Sequence, residues 1–151
     1  KYDLGRKISG VFSHKRVADR RPLIAGFDDQ FNVPVSRWSE VRREDIDNHQ
    51  ELEVLADSDE SGICIVEDAA HRRVFVFNHF EYDSETLAYE YQRDTESDGP
   101  ETPLPLHYFP NDDPTLAPRN NWRSHGQLLY GNWINDIYQT TPYDISKIGK
   151  I

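Results

Sequence analysis

His79 and Glu81, separated by one residue, are the two side chains of this sequence best suited to acid–base chemistry. They follow an apolar run at residues 73–77, whose β-branched and aromatic side chains predict a strand. Because side chains alternate faces along a strand, residues two positions apart point the same way. A carboxylate beside an imidazole fixes its tautomer and stabilises its charged form. The pair therefore predicts the base and its orienting residue in a nucleophilic site, at a strand end, where α/β folds place their chemistry.

One other interpretation of His79 stays open on the residues alone, and a metal site is disfavoured. A histidine near a strand end is often a hydrogen-bonded structural residue, so the chain is also compatible with a non-enzymatic α/β interaction module. A metal site needs further ligands, and His71 and His107 lie in a turn and a proline-rich segment without ligand spacing. We therefore predict no metal site.

Cys64 is the only thiol of the chain, and it lies in an apolar strand pattern at residues 62–66. A buried strand cysteine is usually a small core residue, and burial raises its pKa. A reactive thiolate instead needs a cationic neighbour or a helix N-terminus. We predict that Cys64 is structural and that the nucleophile is supplied from outside this chain.

Arg93 lies on the helix predicted after His79 and admits two roles. Glu90 and Asp94 are close enough in sequence to form a solvated salt bridge with it, which contributes little to stability. Alternatively, its guanidinium holds a substrate carboxylate in a two-pronged hydrogen bond.

The composition narrows the class of protein. The chain has 151 residues, enough for one domain with a core, and a formal net charge of −10. This charge disfavours binding to nucleic acid or to an anionic membrane. One cysteine excludes a disulfide framework, so we expect a reducing, cytoplasmic location. No apolar run reaches the roughly 20 residues that span a bilayer. The polar start at Lys1, without a Met, is typical of the interior of a longer protein.

Periodicity and turn residues predict the order of the elements. Short strands are expected at 8–12, 38–41, 52–56, 63–66 and 73–77, the last three antiparallel. Residues 20–37 predict an irregular loop pinned by Leu23, Ile24, Phe27 and Phe31, and residues 44–50 at most one helical turn. A helix with Asp83 as its N-cap ends at Gly99, and residues 101–120 predict an extended proline-rich segment packed on the body. A last helix at 122–138 has an apolar stripe of Leu128, Leu129, Trp133, Ile134 and Ile137.

Several segments, in this order, resemble one known family. They are GFDD at 26–29, SRWSEVR at 36–42, NHFEYD at 78–83, YQRD at 91–94, YFPNDDP at 108–114, WRSHG at 122–126 and YQTTPYD at 138–144. The chain resembles the C-terminal half of a homoserine O-acyltransferase, over nearly all of its length. A glutamine amidotransferase-type hydrolase shares the His-x-Glu pair, but Arg93 and the WRSHG segment argue against it.

The resemblance implies a fold and an activity. The fold is an α/β, flavodoxin-like three-layer sandwich of the class I glutamine amidotransferase-like type, of which residues 1–151 are the incomplete C-terminal portion of one catalytic domain. The activity is transfer of a succinyl or acetyl group from coenzyme A to the hydroxyl of L-homoserine in methionine biosynthesis, through a cysteine thioester. That cysteine lies upstream of Lys1, so the chain alone is expected to be inactive. L-homoserine and acyl-CoA are the expected partners, with no cofactor, and the full-length protein is expected to be a homodimer.

The resemblance also assigns roles to five residues of this sequence. His79 matches the general base and Glu81 its orienting partner. Arg93 matches the position that holds the homoserine carboxylate. Lys7 and Ser36 match substrate-binding positions, Ser36 near the acyl group. Phe80, where many members have proline, departs from the family pattern, but we expect little effect on the chemistry. The sequence leaves the choice between acetyl and succinyl donors open.

Overall fold

The computed structural model describes residues 1–147, without the side chain of Ile145, as one curled sheet packed with helices. The described strands are β1 (Tyr2–Arg16), β2 (Gln30–Glu40), β3 (Glu53–Ser58), β4 (Gly62–Asp68) and β5 (Arg73–Val76). The described helices are α1 (Arg43–Asp47), α2 (Thr86–Asp98) and α3 (Arg123–Thr140), with short 3-10 turns at Pro22–Ile24, Pro110–Asp112 and Ile145–Lys147. The strand order is β2-β1-β3-β4-β5, and neighbouring strands run antiparallel.

The sheet curls because the segment after β5 returns to the opposite edge strand. The amide of Phe77 donates to the carbonyl of Cys64 in β4, at 2.9 Å. Two residues later, the amide of His79 donates to the carbonyl of Pro34 in β2, also at 2.9 Å. Three consecutive residues therefore connect β4 to β2, and His79 is docked on the outer edge of β2.

Most of the predicted strands are confirmed, and one prediction is wrong. The antiparallel strands β3, β4 and β5 lie where the pattern places them. Residues 30–37, which were expected to be loop, form most of β2. Pro34 made this segment look irregular, but proline is tolerated in an edge strand, where its missing N–H faces away from the ladder. The loop before β2 is confirmed. Its apolar anchors Leu23, Ile24 and Phe27 lie in the core, and so does Phe31, which belongs to β2.

The main core lies between the sheet, the loop before β2 and α3, and it includes Phe80 and Leu129. A second cluster of Val11, Leu87, Tyr108, Phe109 and Trp122 joins α2 and the proline-rich segment to β1. Leu106 of that segment pairs with β1 through its backbone, donating to Ser9 and accepting from Val11, both at 2.9 Å. A Cβ on Gly10 would lie 2.3 Å from the Leu106 carbonyl oxygen, so this close approach requires glycine.

The predicted helices exist, with two differences. Helix α2 begins at Thr86, with Glu85 rather than Asp83 at its N-cap and no side chain capping its start. Gly99 ends it as predicted. Helix α3 has the predicted extent to within two residues. Its apolar stripe is only partly buried, however: Leu129 is in the core, but Trp133, Ile134 and Ile137 are exposed.

The fold class, α/β, is confirmed for the described residues. The finer expectation of a three-layer flavodoxin-like sandwich concerns a whole domain and stays a prediction. Among the helices of residues 1–147, none combines the length and the apolar character that crossing a membrane requires.

Candidate active site

His79 and Glu81 form a hydrogen-bonded pair on the turn that follows β5. His79 Nδ1 lies 2.8 Å from Glu81 Oε1. A carboxylate only accepts, so Nδ1 carries the proton and donates, and Nε2 keeps a free lone pair. Both side chains are partly open to solvent, at 31% and 53%. The arrangement leaves Nε2, the ring nitrogen on the far side from Glu81, free of this hydrogen bond.

The strand geometry expected for His79 and Glu81 is wrong, because β5 ends before them. The two side chains do lie on the same side, as predicted. Strand β5 ends at Val76, and residues 79–82 form a turn. The chain leaves the ladder because Asn78 and Phe80 point into the interior, where they are 3% exposed. His79 and Glu81 are then left together on the outer side. Side chains therefore alternate between inward and outward in this turn, as they do in a strand, although the turn is not paired with another strand.

The turn is held from three sides. The His79 amide is bonded to β2, as described above. The indole Nε1 of Trp122 donates to the Tyr82 carbonyl at 2.8 Å. At the start of α3, a Cβ on Gly126 would lie 2.7 Å from the Phe80 carbonyl oxygen, so the helix approaches the turn as closely as a glycine allows. These contacts fix the backbone of the candidate base.

Beneath the turn lies a buried polar network. His14 is 1% exposed, and its Nδ1 donates to the Phe12 carbonyl at 2.9 Å. Its Nε2 accepts from Asn78 Nδ2 at 2.8 Å and lies 3.3 Å from the Ser61 hydroxyl. Burial lowers the pKa of His14 to about 4, so the ring is neutral near pH 7. The network anchors Asn78, the residue directly before the candidate base.

We expect His14 to make the stability of the chain depend on pH between about 6.5 and 4. In that window the unfolded chain binds a proton at His14 and the folded chain does not, so the free energy of unfolding falls as the pH falls. The shift corresponds to roughly 3 kcal/mol. Urea unfolding at several pH values measures it. His14→Gln should flatten the slope while His49→Gln, at an exposed histidine, should not, and equal slopes in both variants would refute the assignment.

Two carboxylates on α2 hold the other predicted site residues together. Lys7 Nζ lies 3.0 Å from Glu90 Oε2 and 2.6 Å from Asp94 Oδ2. The Ser36 hydroxyl also donates to Glu90. Arg93 donates to Asp94 through Nε at 2.9 Å and Nη2 at 2.7 Å. Lys7, Ser36 and Arg93, which come from β1, β2 and α2, are therefore members of one polar cluster.

Tyr82 joins this cluster to the candidate base. Its ring stacks on the His79 ring, with centroids 4.2 Å apart and planes inclined by 16°. Its hydroxyl donates to Glu90 Oε1 at 2.6 Å. Burial and the contact with Glu90 raise the pKa of Tyr82, so the hydroxyl keeps its proton and stays a donor. All five predicted site residues are thus connected through contacts that Tyr82, Glu90 and Asp94 make.

The charge state of the cluster follows from its contacts. Burial opposes ionisation of Glu90, but hydrogen bonds from Ser36, Tyr82 and Lys7 outweigh it, and the pKa of Glu90 is lowered. Burial likewise opposes ionisation of Asp94, and its contacts with Lys7 and Arg93 lower its pKa. Both carboxylates are therefore charged near neutral pH. They pair with the cationic side chains of Lys7 and Arg93.

Tyr82, Glu90 and Asp94 were not predicted as site residues. The four-residue spacing of Glu90 and Asp94 places them on one helix face, which is the available sequence signal. From the sequence, Glu90 and Asp94 were expected only as surface ion-pair partners of Arg93, and the pair of Arg93 with Asp94 does exist. Their more important contacts are with Lys7 and Ser36, which lie more than 50 positions away in sequence. No local pattern reveals such pairs.

Cys64 lies in the core of β4 and is fully buried. Burial raises the pKa of its thiol to about 12, so it stays protonated and inert near neutral pH. The burial predicted for this cysteine is confirmed. Within residues 1–147, no three His, Cys, Asp or Glu side chains are grouped so as to hold a metal ion.

A cavity of about 700 Å³ opens beside the cluster, between β1, α2 and the proline-rich segment. Lys7 and Asp94 contribute to its wall, together with Trp38, Tyr91 and Leu104. His79 and Arg93 are not part of its lining. The cavity therefore borders the Lys7 side of the cluster and lies apart from the candidate base.

Sequence comparison decides the family of this chain. The sequence model of homoserine O-succinyltransferase matches residues 1–143. The chain belongs to the homoserine O-succinyltransferase family. Among curated relatives, the homoserine O-acetyltransferase of Agrobacterium fabrum (strain C58) is 54% identical over 151 residues, covering 100% of this chain and 49% of that protein. The homoserine O-acetyltransferase of Cereibacter sphaeroides is 54% identical over 150 residues, covering 99% of this chain and 49% of that protein.

The homoserine O-acetyltransferase of Brucella canis is 52% identical over 151 residues, covering 100% of this chain and 49% of that protein. This member of the family therefore spans about half the length of the curated relatives it matches. Among solved structures, the crystal structure of SMU.1228c aligns with a TM-score of 0.58 at 14% identity, covering 88% of this chain and 53% of that chain. That likeness concerns the fold alone.

Proposed function

We propose that this chain contributes the general base, its orienting carboxylate and the homoserine-binding residues of a homoserine O-acyltransferase. One observation supports this most strongly. The His79–Glu81 pair is joined through Tyr82 and Glu90 to a cluster that contains Lys7 and Ser36. A base and substrate-binding groups in one connected network are what acyl transfer to an amino-acid hydroxyl requires.

In the proposed reaction, His79 acts twice through Nε2. It first takes the proton of a cysteine thiol, and the thiolate attacks the carbonyl carbon of acyl-CoA. The displaced coenzyme A thiolate takes that proton from His79, so the imidazole is neutral again. His79 then takes the proton of the homoserine hydroxyl, whose oxygen attacks the thioester, and it returns this proton to the released cysteine thiolate. Glu81 keeps Nδ1 protonated and stabilises the imidazolium at each step. The cysteine belongs to the part of the family's chain that lies outside this sequence.

The substrate-binding roles follow from charge and geometry. Arg93 has a planar guanidinium that suits the carboxylate of L-homoserine, and 68% of its side chain is exposed, although Nε and Nη2 donate to Asp94. Lys7 and Ser36 extend the polar surface toward β1 and β2, with Ser36 near the acyl group. Acyl-CoA is the co-substrate, and no other cofactor is required.

The remaining expectations belong to the same proposal. Residues 1–151 form the C-terminal portion of one catalytic domain, which as a whole is a flavodoxin-like three-layer sandwich. The complete protein is a cytoplasmic homodimer. Residues 1–151, with their antiparallel sheet, are then the half of the domain that contributes the base. The curated relatives, which are about twice as long, contain the remainder.

The test uses a chimera in which this chain replaces the aligned 151 residues of the Agrobacterium fabrum enzyme. We expect the chimera to form O-acylhomoserine from acetyl-CoA or succinyl-CoA, detected by mass spectrometry, and the isolated chain to form none. Comparing the two donors also identifies the acyl group. A folded chimera that hydrolyses glutamine and leaves homoserine unmodified would overturn the proposal in favour of the amidotransferase-type reaction.

A further inference from the structure

The second half of helix α3 is open to solvent among the described residues. From Trp133 to Thr140, every residue is exposed. This half is nevertheless apolar along one side. The α3 apolar face consists of five large side chains with exposed fractions between 39% and 64%: Tyr130, Trp133, Ile134, Ile137 and Tyr138. Large contiguous apolar surface of this kind marks an interaction site.

The α3 apolar face is a continuation of the buried side of the helix. Residues spaced three and four positions apart share one side of a helix. Gly126 and Leu129 are buried against the body, and Trp133 and Ile137 continue the same spacing. Asn135 lies on the other side. The helix thus keeps one apolar stripe along its length, of which only the first half is covered.

The outer edge of the sheet adds a second uncovered element. Strand β5 is the last strand of the described order, and no described strand pairs with its outer side. Phe75 and Val76 on this strand are 40% and 41% exposed. Arg72, just before β5, donates to the Thr140 hydroxyl at the end of α3 at 2.6 Å, so edge and helix face are neighbours. An unpaired apolar edge is a template for another strand.

The α3 apolar face also reaches the candidate active site. Tyr130, its first residue, is near enough to Glu81 of the candidate pair for the carboxylate to act on its hydroxyl. Burial, and next the Glu81 carboxylate, raise the pKa of the Tyr130 hydroxyl. A polypeptide covering this face would therefore come within reach of the side of the turn that contains His79.

We propose that the α3 apolar face and the outer edge of β5 bind the half of the family's polypeptide that lies outside this sequence. The relatives are about twice as long as this chain, so a segment of matching size exists to cover them. The inference rests on the proposed function, because that segment is also the one proposed to supply the nucleophile. Docking on a face that borders Glu81 would place the nucleophile next to the candidate base.

Cysteine labelling tests this proposal in the isolated chain and in the Agrobacterium chimera. Ile137→Cys places a thiol on the α3 apolar face, and Asn135→Cys is the matched control on the other side of the same turn. Cys64 is fully buried and does not compete for the reagent. Peptide mass spectrometry after a timed maleimide pulse gives the labelling rate at each position. At position 137 we expect a rate at least about tenfold lower in the chimera than in the isolated chain. At position 135 the two rates should agree.

Two results would overturn the inference. Equal labelling of position 137 in chimera and isolated chain means that the face stays open in the longer protein. Protection of position 137 in the isolated chain that increases with concentration means that a second copy covers it instead. The acylation assay on the chimera without these substitutions is a separate readout. Protection without turnover supports the docking and counts against the proposed function, whereas turnover without protection does the reverse.

Discussion

Replacing His79 with alanine in the active chimera is expected to lower kcat for homoserine acylation by roughly 10²- to 10⁴-fold. The reason is that Nε2 of His79 is the proposed acceptor for both proton transfers, and its partner Glu81 only orients it. The polar cluster around Glu90 and Asp94 does not depend on the imidazole for its own hydrogen bonds. The loss should therefore be in kcat, with KM for homoserine little changed. Steady-state kinetics with both substrates varied measure this.

The chain offers a matched control for this substitution. His71 is also paired with a carboxylate, since its Nδ1 lies 2.8 Å from Asp68 Oδ2 on the turn between β4 and β5. His71→Ala removes the same chemical group from a similar pair outside the cluster, and near-unchanged kinetics are expected. Glu81→Gln should lower kcat less than His79→Ala, because the base itself remains. Acylation at a near-normal rate by the His79→Ala chimera would exclude the proposed base.

The sequence correctly predicted that His79 and Glu81 lie close together, but for a reason that is only partly correct. A two-residue spacing brought His79 and Glu81 to the same side, but through strand alternation. In the structure the alternation arises because Asn78 and Phe80 are drawn into the interior. Every second side chain can be buried in a turn as well as in a strand, so residue spacing alone does not distinguish a turn from a strand. What distinguishes them is the bond from His79 to Pro34, a contact that spans 45 positions and has no local signature.

The composition of the cluster was the less predictable part of the site. Lys7, Ser36 and Arg93 were assigned by resemblance, and the structure brings them together through Glu90 and Asp94. The cluster depends on the pairing of β1 with β2, which sets Ser9 opposite Ser36. Because residues 30–37 were expected to be loop, that register was not available from the sequence. The error in the edge strand therefore concealed the polar contacts that join these residues.

The exposed half of α3 was predicted correctly as a helix, but its exposure was not predicted. Helical periodicity located the apolar stripe correctly, but periodicity does not say what covers a stripe. Leu129 is covered by residues of this chain, and Trp133 and Ile137 are not. The family comparison supplies the missing context, since the curated relatives are about twice as long. An uncovered stripe in a chain that spans about half the length of these relatives is thus consistent with the docking proposed above.

Replacing Gly126 with alanine is expected to destabilise the chain by about 1–3 kcal/mol, as overpacking does in a well-packed interior. The added Cβ would lie 2.7 Å from the Phe80 carbonyl oxygen, and this neighbour is backbone, which cannot rotate away. Relief requires that the start of α3 or the turn at residues 79–82 shifts. A shift of this turn moves His79 relative to the cluster, so kcat of the chimera should fall by roughly 10²-fold, as for a displacement of about 1 Å.

Gly131→Ala is the matched control, because it makes the same change five positions further along α3, where no atom lies within 4 Å of the new Cβ. Alanine is the better helix former by about 1 kcal/mol, so Gly131→Ala should stabilise the chain slightly and leave acylation unchanged. The same gain in helix propensity acts at position 126. Only the contact with Phe80 turns the expected change in the free energy of unfolding from stabilising to destabilising. Urea unfolding of both variants separates the two effects. If Gly126→Ala also raised the free energy of unfolding, the close contact between α3 and the turn at residues 79–82 would not be what fixes the position of His79.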